Sequence, residues 1–164
     1  MSSYRSEFHR GIHLKERGRY EEAIAAFYAA LGFVPGDAAA LGEIAICQTN
    51  QEGGQEMACR TILEAIAQEP ELPYLHGLHA TLLCRAGRAI DAHRPAAECI
   101  ALAPGDPYGH AVTALVASEL ERWPETEQNA RRALELDADD RMAQNLLCQA
   151  LHEQGRRGES AEIA

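Results

Sequence analysis

The sequence predicts an all-α fold built from repeated helical hairpins, and three observations carry that reading. Alanine is the commonest residue, 30 of 164, while aromatics make up only 5%. Helix propensity that high, with so few large rings, points to helices packed closely through small side chains. Punctuation recurs at a near-constant interval: Pro35, Pro70 and Pro104 are 35 and 34 residues apart, and a further 34 residues leads to Ala138. Small residues keep the same register in four more columns, which run Gly11, Ala45, Ala80, Ala114, Cys148; Gly18, Gly53, Gly87, Glu121, Gly155; Ala23, Ala58, Ala92, Thr126; and Ala30, Ala65, Cys99, Ala133. A fixed period of this length is the mark of a stacked-repeat architecture.

The helices follow in order from these stops and starts. Four hairpins are predicted, 4–17 with 20–33, 38–50 with 55–68, 73–86 with 88–102, and 107–120 with 124–136; a ninth helix over 141–154 begins a fifth unit. Asp37, Asp106 and Asp140 are good N-caps, and Pro73, Pro107 and Pro124 stand where a first helical turn tolerates proline. Pro35, Pro70 and Pro104 close the second helix of each of the first three units. Pro95 falls inside such a helix and predicts a kink, because it removes one backbone hydrogen bond. The single extra residue of the second unit lies between Ala45 and Gly53, at the turn that begins with Gln51, where an insertion costs least.

Composition narrows the function. The net charge of -10 disfavours nucleic acid and anionic lipid. Five cysteines, Cys47, Cys59, Cys84, Cys99 and Cys148, include no C-x-x-C pair and read as buried thiols of a reducing compartment, not as disulfides or zinc ligands. The N-terminal residues lack the apolar core of a signal peptide, and the longest apolar run, 23–34, is short of the roughly 20 residues that span a bilayer. A soluble, cytoplasmic chain that does not itself insert into a membrane is expected. No G-x-S-x-G, H-E-x-x-H, Walker A or G-x-G-x-x-G motif occurs, so neither an enzyme nor a cofactor is predicted. His9 and His13, and His76 and His79, have helical spacings that could share a metal, but no third ligand lies nearby in sequence and no metal is assigned.

The run Gly18-Arg-Tyr-Glu-Glu-Ala-Ile-Ala-Ala-Phe, with Gly11 and Leu14 before it and Ala30 and Pro35 after it, resembles the tetratricopeptide repeat family, whose pattern is W-x2-L-G-x2-Y, then A-x3-F, then P. The resemblance extends from Tyr4 to about Gly155; the departures are a missing tryptophan column, Thr126 in place of Ala and Ala138 in place of Pro. It implies one domain over 1–164, a right-handed α-α superhelix with repeats at about 4–37, 38–72, 73–106 and 107–140 and a partial repeat at 141–164. It implies also that the first helix of each unit lines a concave groove. The positions that face a partner are then Phe8, Ile12 and Lys15 in unit one, and Ile46 and Thr49 in unit two. They continue as Tyr74, Thr81 and Arg85, then Tyr108 and Leu115, and Asn145 and Gln149 in the partial fifth. The positions that in some members clamp a terminal carboxylate hold Phe8, Ile12, Glu43, Tyr74 and Leu78, so that mode is excluded, and Glu43 would repel such a ligand.

The expected role is a protein-protein interaction scaffold or adaptor that holds a peptide or amphipathic helix in that groove. Its floor reads as apolar, with Leu78 and Val112 among its residues, and Thr81, Arg85, Asn145 and Gln149 would set register. Two alternatives stay open. One is a small secretion-type chaperone that masks an apolar client segment. The other is the cytoplasmic assembly domain of a larger membrane protein, since many similar bacterial proteins place such repeats ahead of membrane helices. Charge is uneven along the chain: 1–20 holds five bases and two acids, and 36–72 holds seven acids and one base, which would allow one copy to attract another. Apolar residues of the ninth helix, Met142, Leu146, Leu147, Cys148, Ala150 and Leu151, need a cover. Residues 158–163 folding back, a second copy, or a continuation past Ala164 would each supply one.

Overall fold

In the computed structural model, which describes residues 3–161, ten α-helices follow one another: α1 (Tyr4–Glu16), α2 (Tyr20–Leu31), α3 (Ala38–Gln48), α4 (Gln55–Gln68), α5 (Pro73–Arg85), α6 (Ala89–Leu102), α7 (Pro107–Glu119), α8 (Trp123–Leu136), α9 (Arg141–Glu153) and α10 (Arg157–Ala161). The described residues contain no strand. Every predicted helix is present, and the aspartates cap as expected: Asp37 accepts from the Ala40 amide at 2.7 Å, Asp106 from Tyr108 at 2.9 Å and Asp140 from Ala143 at 3.0 Å. Helix α6 runs on through the buried Pro95 to Leu102, so the missing hydrogen bond does not end it.

Each odd-numbered helix packs against the even-numbered helix that follows it, and each even-numbered helix packs against the next odd one. The backbones of successive odd helices also approach one another closely, α1 with α3 and so on to α7 with α9, whereas those of successive even helices stay farther apart. A curved stack is shorter along its inner side, so the closely approaching odd helices form the concave row and the separated even helices the convex row of a helical solenoid.

The small-residue columns explain the close approach. Ala23, Ala58, Ala92 and Thr126 are all fully buried, as are Ala30, Ala65 and Ala133. Thr126 is accommodated in this column because its hydroxyl donates to the Arg122 carbonyl of its own helix, at 3.1 Å. Larger side chains fill the spaces left between units. Phe27, Ile44, Ile62, Leu75 and Leu82 are 2% exposed or less, and burying each such side chain contributes about 1.5–3 kcal/mol.

The turns inside the units repeat a second device. Gly18, Gly53, Gly87 and Gly155 have φ between 68° and 77°, and Glu121 has φ 55°. In four of the five turns the next residue is an arginine whose amide reaches back five residues, as from Arg19 to the Leu14 carbonyl at 2.9 Å. The side chain then pairs with the acid three residues on: Arg19 with Glu22, Arg88 with Asp91, Arg122 with Glu125 and Arg156 with Glu159. Glu121 is the one residue of this column that carries a Cβ at positive φ, a conformation costing about 1 kcal/mol outside glycine. Glu121→Gly should therefore raise the midpoint of thermal unfolding by roughly 2–4 °C in a circular-dichroism melt; an unchanged or lower midpoint would contradict the assigned backbone.

The ninth helix is covered by its own chain. Leu146, Leu147, Ala150 and Leu151 are 6% exposed or less, packed on α7 and α8. Of the six apolar residues expected to need a cover, these four have one in α7 and α8, while Met142 and Cys148 stay half-buried. Helix α10 does fold back on α9, where the Ser160 hydroxyl donates to the Cys148 carbonyl at 3.2 Å; Ile163 lies outside the described residues. Glu127 of α8 binds Arg156 at 2.7 Å, Gln154 at 3.0 Å and Arg131 at 2.9 Å. Burial alone would raise the Glu127 carboxyl, but hydrogen bonds from these three partners outweigh it and hold the group below the usual carboxylate range.

Candidate interaction surface

The concave face is built by one side of each odd-numbered helix. All twelve sequence-predicted groove residues retain some exposure. Phe8, Ile12, Lys15, Ile46, Thr49, Thr81, Tyr108 and Leu115 are half-buried, and Tyr74, Arg85, Asn145 and Gln149 are exposed. Other residues assigned to the groove are not available. Leu78 is 6% exposed and Val112 not at all. Because successive odd helices approach closely, these side chains seal the seams between helices and do not form an open floor. The accessible apolar surface is a line through Ile46, Tyr74, Tyr108 and Leu115.

At its first end the line merges with the core. Phe8 stacks on Tyr4 with ring centroids 5.6 Å apart and meets Phe27 edge-on at 5.4 Å. Ile12 packs into the same cluster, so both residues hold unit one together as well as facing the groove. The Tyr4 hydroxyl donates to Asp37 at 2.8 Å, and burial together with that carboxylate pushes the phenol up to about 12. Lys15 binds Glu43 of the next unit at 2.6 Å, with side chains 25% and 19% exposed. The sequence reading of Glu43 as a repelling charge is corrected here: its carboxylate is neutralised by Lys15 and bridges units one and two.

The middle of the groove is set by one glycine. Tyr108 stacks on Tyr74 at 5.7 Å with an interplanar angle of 29°. Its ring lies where a Cβ on Gly77 would stand, and that Cβ would also approach the Cys99 sulfur to 3.1 Å. Tyr108 therefore fills a notch in the preceding helix, and burial, then Tyr74, raises its phenol. Tyr74 remains 44% exposed and offers its outer face. At the other end of α5, Arg85 donates to the Thr49 hydroxyl at 3.1 Å, and that hydroxyl donates to the Ile46 carbonyl at 2.7 Å. Thr81 donates to the Gly77 carbonyl at 3.0 Å.

The histidines and cysteines have other work. His76 donates to the Pro70 carbonyl at 2.7 Å; His110, one unit on, makes the same contact to Pro104 at 3.4 Å, and Gln144 to Ala138 at 2.9 Å. These side chains tie each junction loop to the helix that follows. Among the described residues no group of three or more His, Cys, Asp or Glu side chains is placed to hold a metal ion. Cys47, Cys59, Cys84 and Cys99 are buried, and burial pushes the Cys47 and Cys84 thiols up to about 11. A thiol held there is a poor nucleophile. No described helix is long and apolar enough to cross a membrane.

Two features of the structure were absent from the sequence reading. The arginine clasp at the turns was legible as the recurring pattern Gly-Arg-x-x-acid, at Gly18, Gly87 and Gly155. The Glu127 cluster was not, because its partners lie 27 and 29 residues away.

No family model matches the sequence, and no curated protein sequence matches it. Solved structures match closely in shape. TTC0263, a thermophilic TPR protein from Thermus thermophilus, superposes with a TM-score of 0.87 at 20% identity, over 98% of this chain and 88% of that one. MamA from Desulfovibrio magneticus RS-1 gives 0.74 at 16% identity, over 98% and 90%. The first TPR domain of human RPAP3 gives 0.68 at 20% identity, over 77% and 98%. At these identities the likeness is one of fold.

Proposed function

We propose that this chain, which has the fold of tetratricopeptide repeat proteins, is a non-catalytic interaction module that binds a peptide or amphipathic helix of another protein on its concave face. The observation that carries the reading is the line of accessible apolar side chains at Ile46, Tyr74, Tyr108 and Leu115, which runs across three successive odd helices. It is flanked by Arg85, held by Thr49 of the preceding unit, and by Thr81, held by the Gly77 carbonyl of its own helix. A preformed surface of this kind loses little entropy on binding, so a few apolar anchors suffice for affinity. The thiols pushed up by burial are poor nucleophiles, which favours binding over catalysis.

The test is a pull-down with the tagged chain and its Ile46→Glu and Leu115→Glu variants. Each charge should lower capture of a specific partner by roughly tenfold or more, as a buried unpaired carboxylate does in an apolar contact, while the helical signal in circular dichroism is unchanged. Undiminished capture by both variants would move the site off the concave face.

A further inference from the structure

The second residue of each odd helix belongs to one row along the concave face: Arg5, Ala39, Tyr74, Tyr108 and Met142, at steps of 34 or 35 residues. Rings hold two adjacent places in that row, and they sit differently. Tyr108 is seated in the notch at Gly77 of the preceding helix. Tyr74 stands in the same relation to Gly42, but there the Cβ direction is met by methyl groups of Leu78 at 3.7 Å and Leu75 at 3.8 Å, and no atom of Tyr74 comes within 4 Å. Kept off its own notch by these leucines, Tyr74 leans on Tyr108, with centroids 5.7 Å apart, and stays 44% exposed.

One face of the Tyr74 ring is therefore covered by Tyr108, and the other looks back along the row toward unit two. The row holds Ala39 there, which is exposed and has no side chain beyond Cβ. A stack of two rings thus ends beside a place that the chain does not fill with a third.

Charge around that place is balanced. Asp37 and Glu43 lie on its acidic side; Asp37 is engaged by the Tyr4 hydroxyl and the Ala40 amide, and Glu43 by Lys15 at 2.6 Å. Lys15 and Arg5 are the two bases, so neither an acid nor a base is favoured as the occupant. Burial, then the Glu43 carboxylate, raises the Tyr74 phenol, which keeps the ring neutral. The open face of a neutral tyrosine attracts another ring beyond what an equal aliphatic area would gain. Arg5, exposed at the next place in the row, adds a planar guanidinium, which also stacks on rings.

We propose that the place over Ala39, between Tyr74 and Arg5, is the slot for an aromatic side chain, Phe, Tyr or Trp, of the partner segment held on the concave face, whose ring continues the Tyr108–Tyr74 stack. The inference rests on the concave-face reading and adds to it the residue that anchors the partner.

The test is selection of a displayed peptide library on the full chain, with the bound peptides re-measured on Ala39→Phe, Tyr74→Leu and Leu115→Glu. Ala39 and Tyr74 are exposed, so neither substitution endangers the fold. Ala39→Phe puts the chain's own ring into the slot, and Tyr74→Leu removes the stacking face. Peptides that weaken on Leu115→Glu should carry an aromatic residue at one fixed position. Its replacement by Leu should weaken them roughly threefold to tenfold, and that difference should vanish on Ala39→Phe and on Tyr74→Leu. Three results would overturn the slot: Leu115-sensitive peptides with no fixed aromatic position, an aromatic preference that survives either substitution, or light scattering that shows a dimer abolished by Ala39→Phe, which would give the slot to a ring of a second copy. Failure of the concave-face reading itself has a different signature, the absence of any Leu115-sensitive peptide, and the slot would fall with it.

Discussion

Gly54→Ala should be the most damaging single-methyl substitution in the chain, at about 3 kcal/mol or more, seen as a fall of roughly 6–12 °C in the thermal midpoint. Its backbone angles, φ -75° and ψ -9°, suit any residue, so conformational strain is not the reason. The reason is contact. A Cβ at Gly54 would overlap the carbonyl oxygen of Gln48, a main-chain atom that also accepts from the Gln51 amide at 3.0 Å and cannot move alone. Gln48 is 2% exposed, and its side chain accepts from Thr61 at 2.9 Å, so its backbone is held from two directions. This is the turn that takes up the extra residue of unit two. It folds back so tightly that glycine stands where the other four turns place the clasp arginine. Gly53→Ala is the control: its φ of +68° costs about 1 kcal/mol, but nothing lies within 4 Å of its Cβ direction. If the two variants melt at the same temperature, the turn does not approach Gln48 as described.

Gly11→Ala should cost about 2 kcal/mol although it replaces glycine in the middle of a helix. Propensity alone would gain about 1 kcal/mol. Against that gain, the new Cβ would lie 2.6 Å from Phe27 Cε1 and 2.8 Å from two further ring atoms, and Phe27 is fully buried. Overpacking of a ring that cannot leave its site costs about 1–3 kcal/mol, occasionally more; with Phe8 packed edge-on against the same ring, the upper part of that range applies and the clash wins. The measurement is a denaturant titration of the single variant and of the pair with Phe27→Leu. The smaller side chain should make room for the methyl, so the pair should lose less than the two single variants together. Strict additivity would show that the methyl does not meet the ring.

The two glycines show where sequence reading reached and where it stopped. Gly11 stood in a column of small residues, Ala45, Ala80 and Ala114, so its need for closeness was legible from the period, though not that Phe27 supplies the contact. Gly54 stood in no column. Its requirement comes from a carbonyl six residues back, brought close only by the shape of an irregular turn. Among the groove residues the same division holds. The resemblance to the repeat family assigned all twelve to the concave side, and each of them keeps some exposure. It could not show that Leu78 and Val112 are sealed between helices, that Glu43 is neutralised by Lys15, or that Tyr108 is seated in the notch at Gly77.

The sequence by itself determined the helices, their caps and the hairpin period, because these depend on local propensity and on residues at most a few positions apart. The tertiary structure alone decided which concave side chains remain accessible and how the ninth helix is covered. Those properties depend on the spacing between units, where differences of a few ångströms separate a sealed seam from an open groove, and that spacing is the sum of many contacts between residues about 30 positions apart.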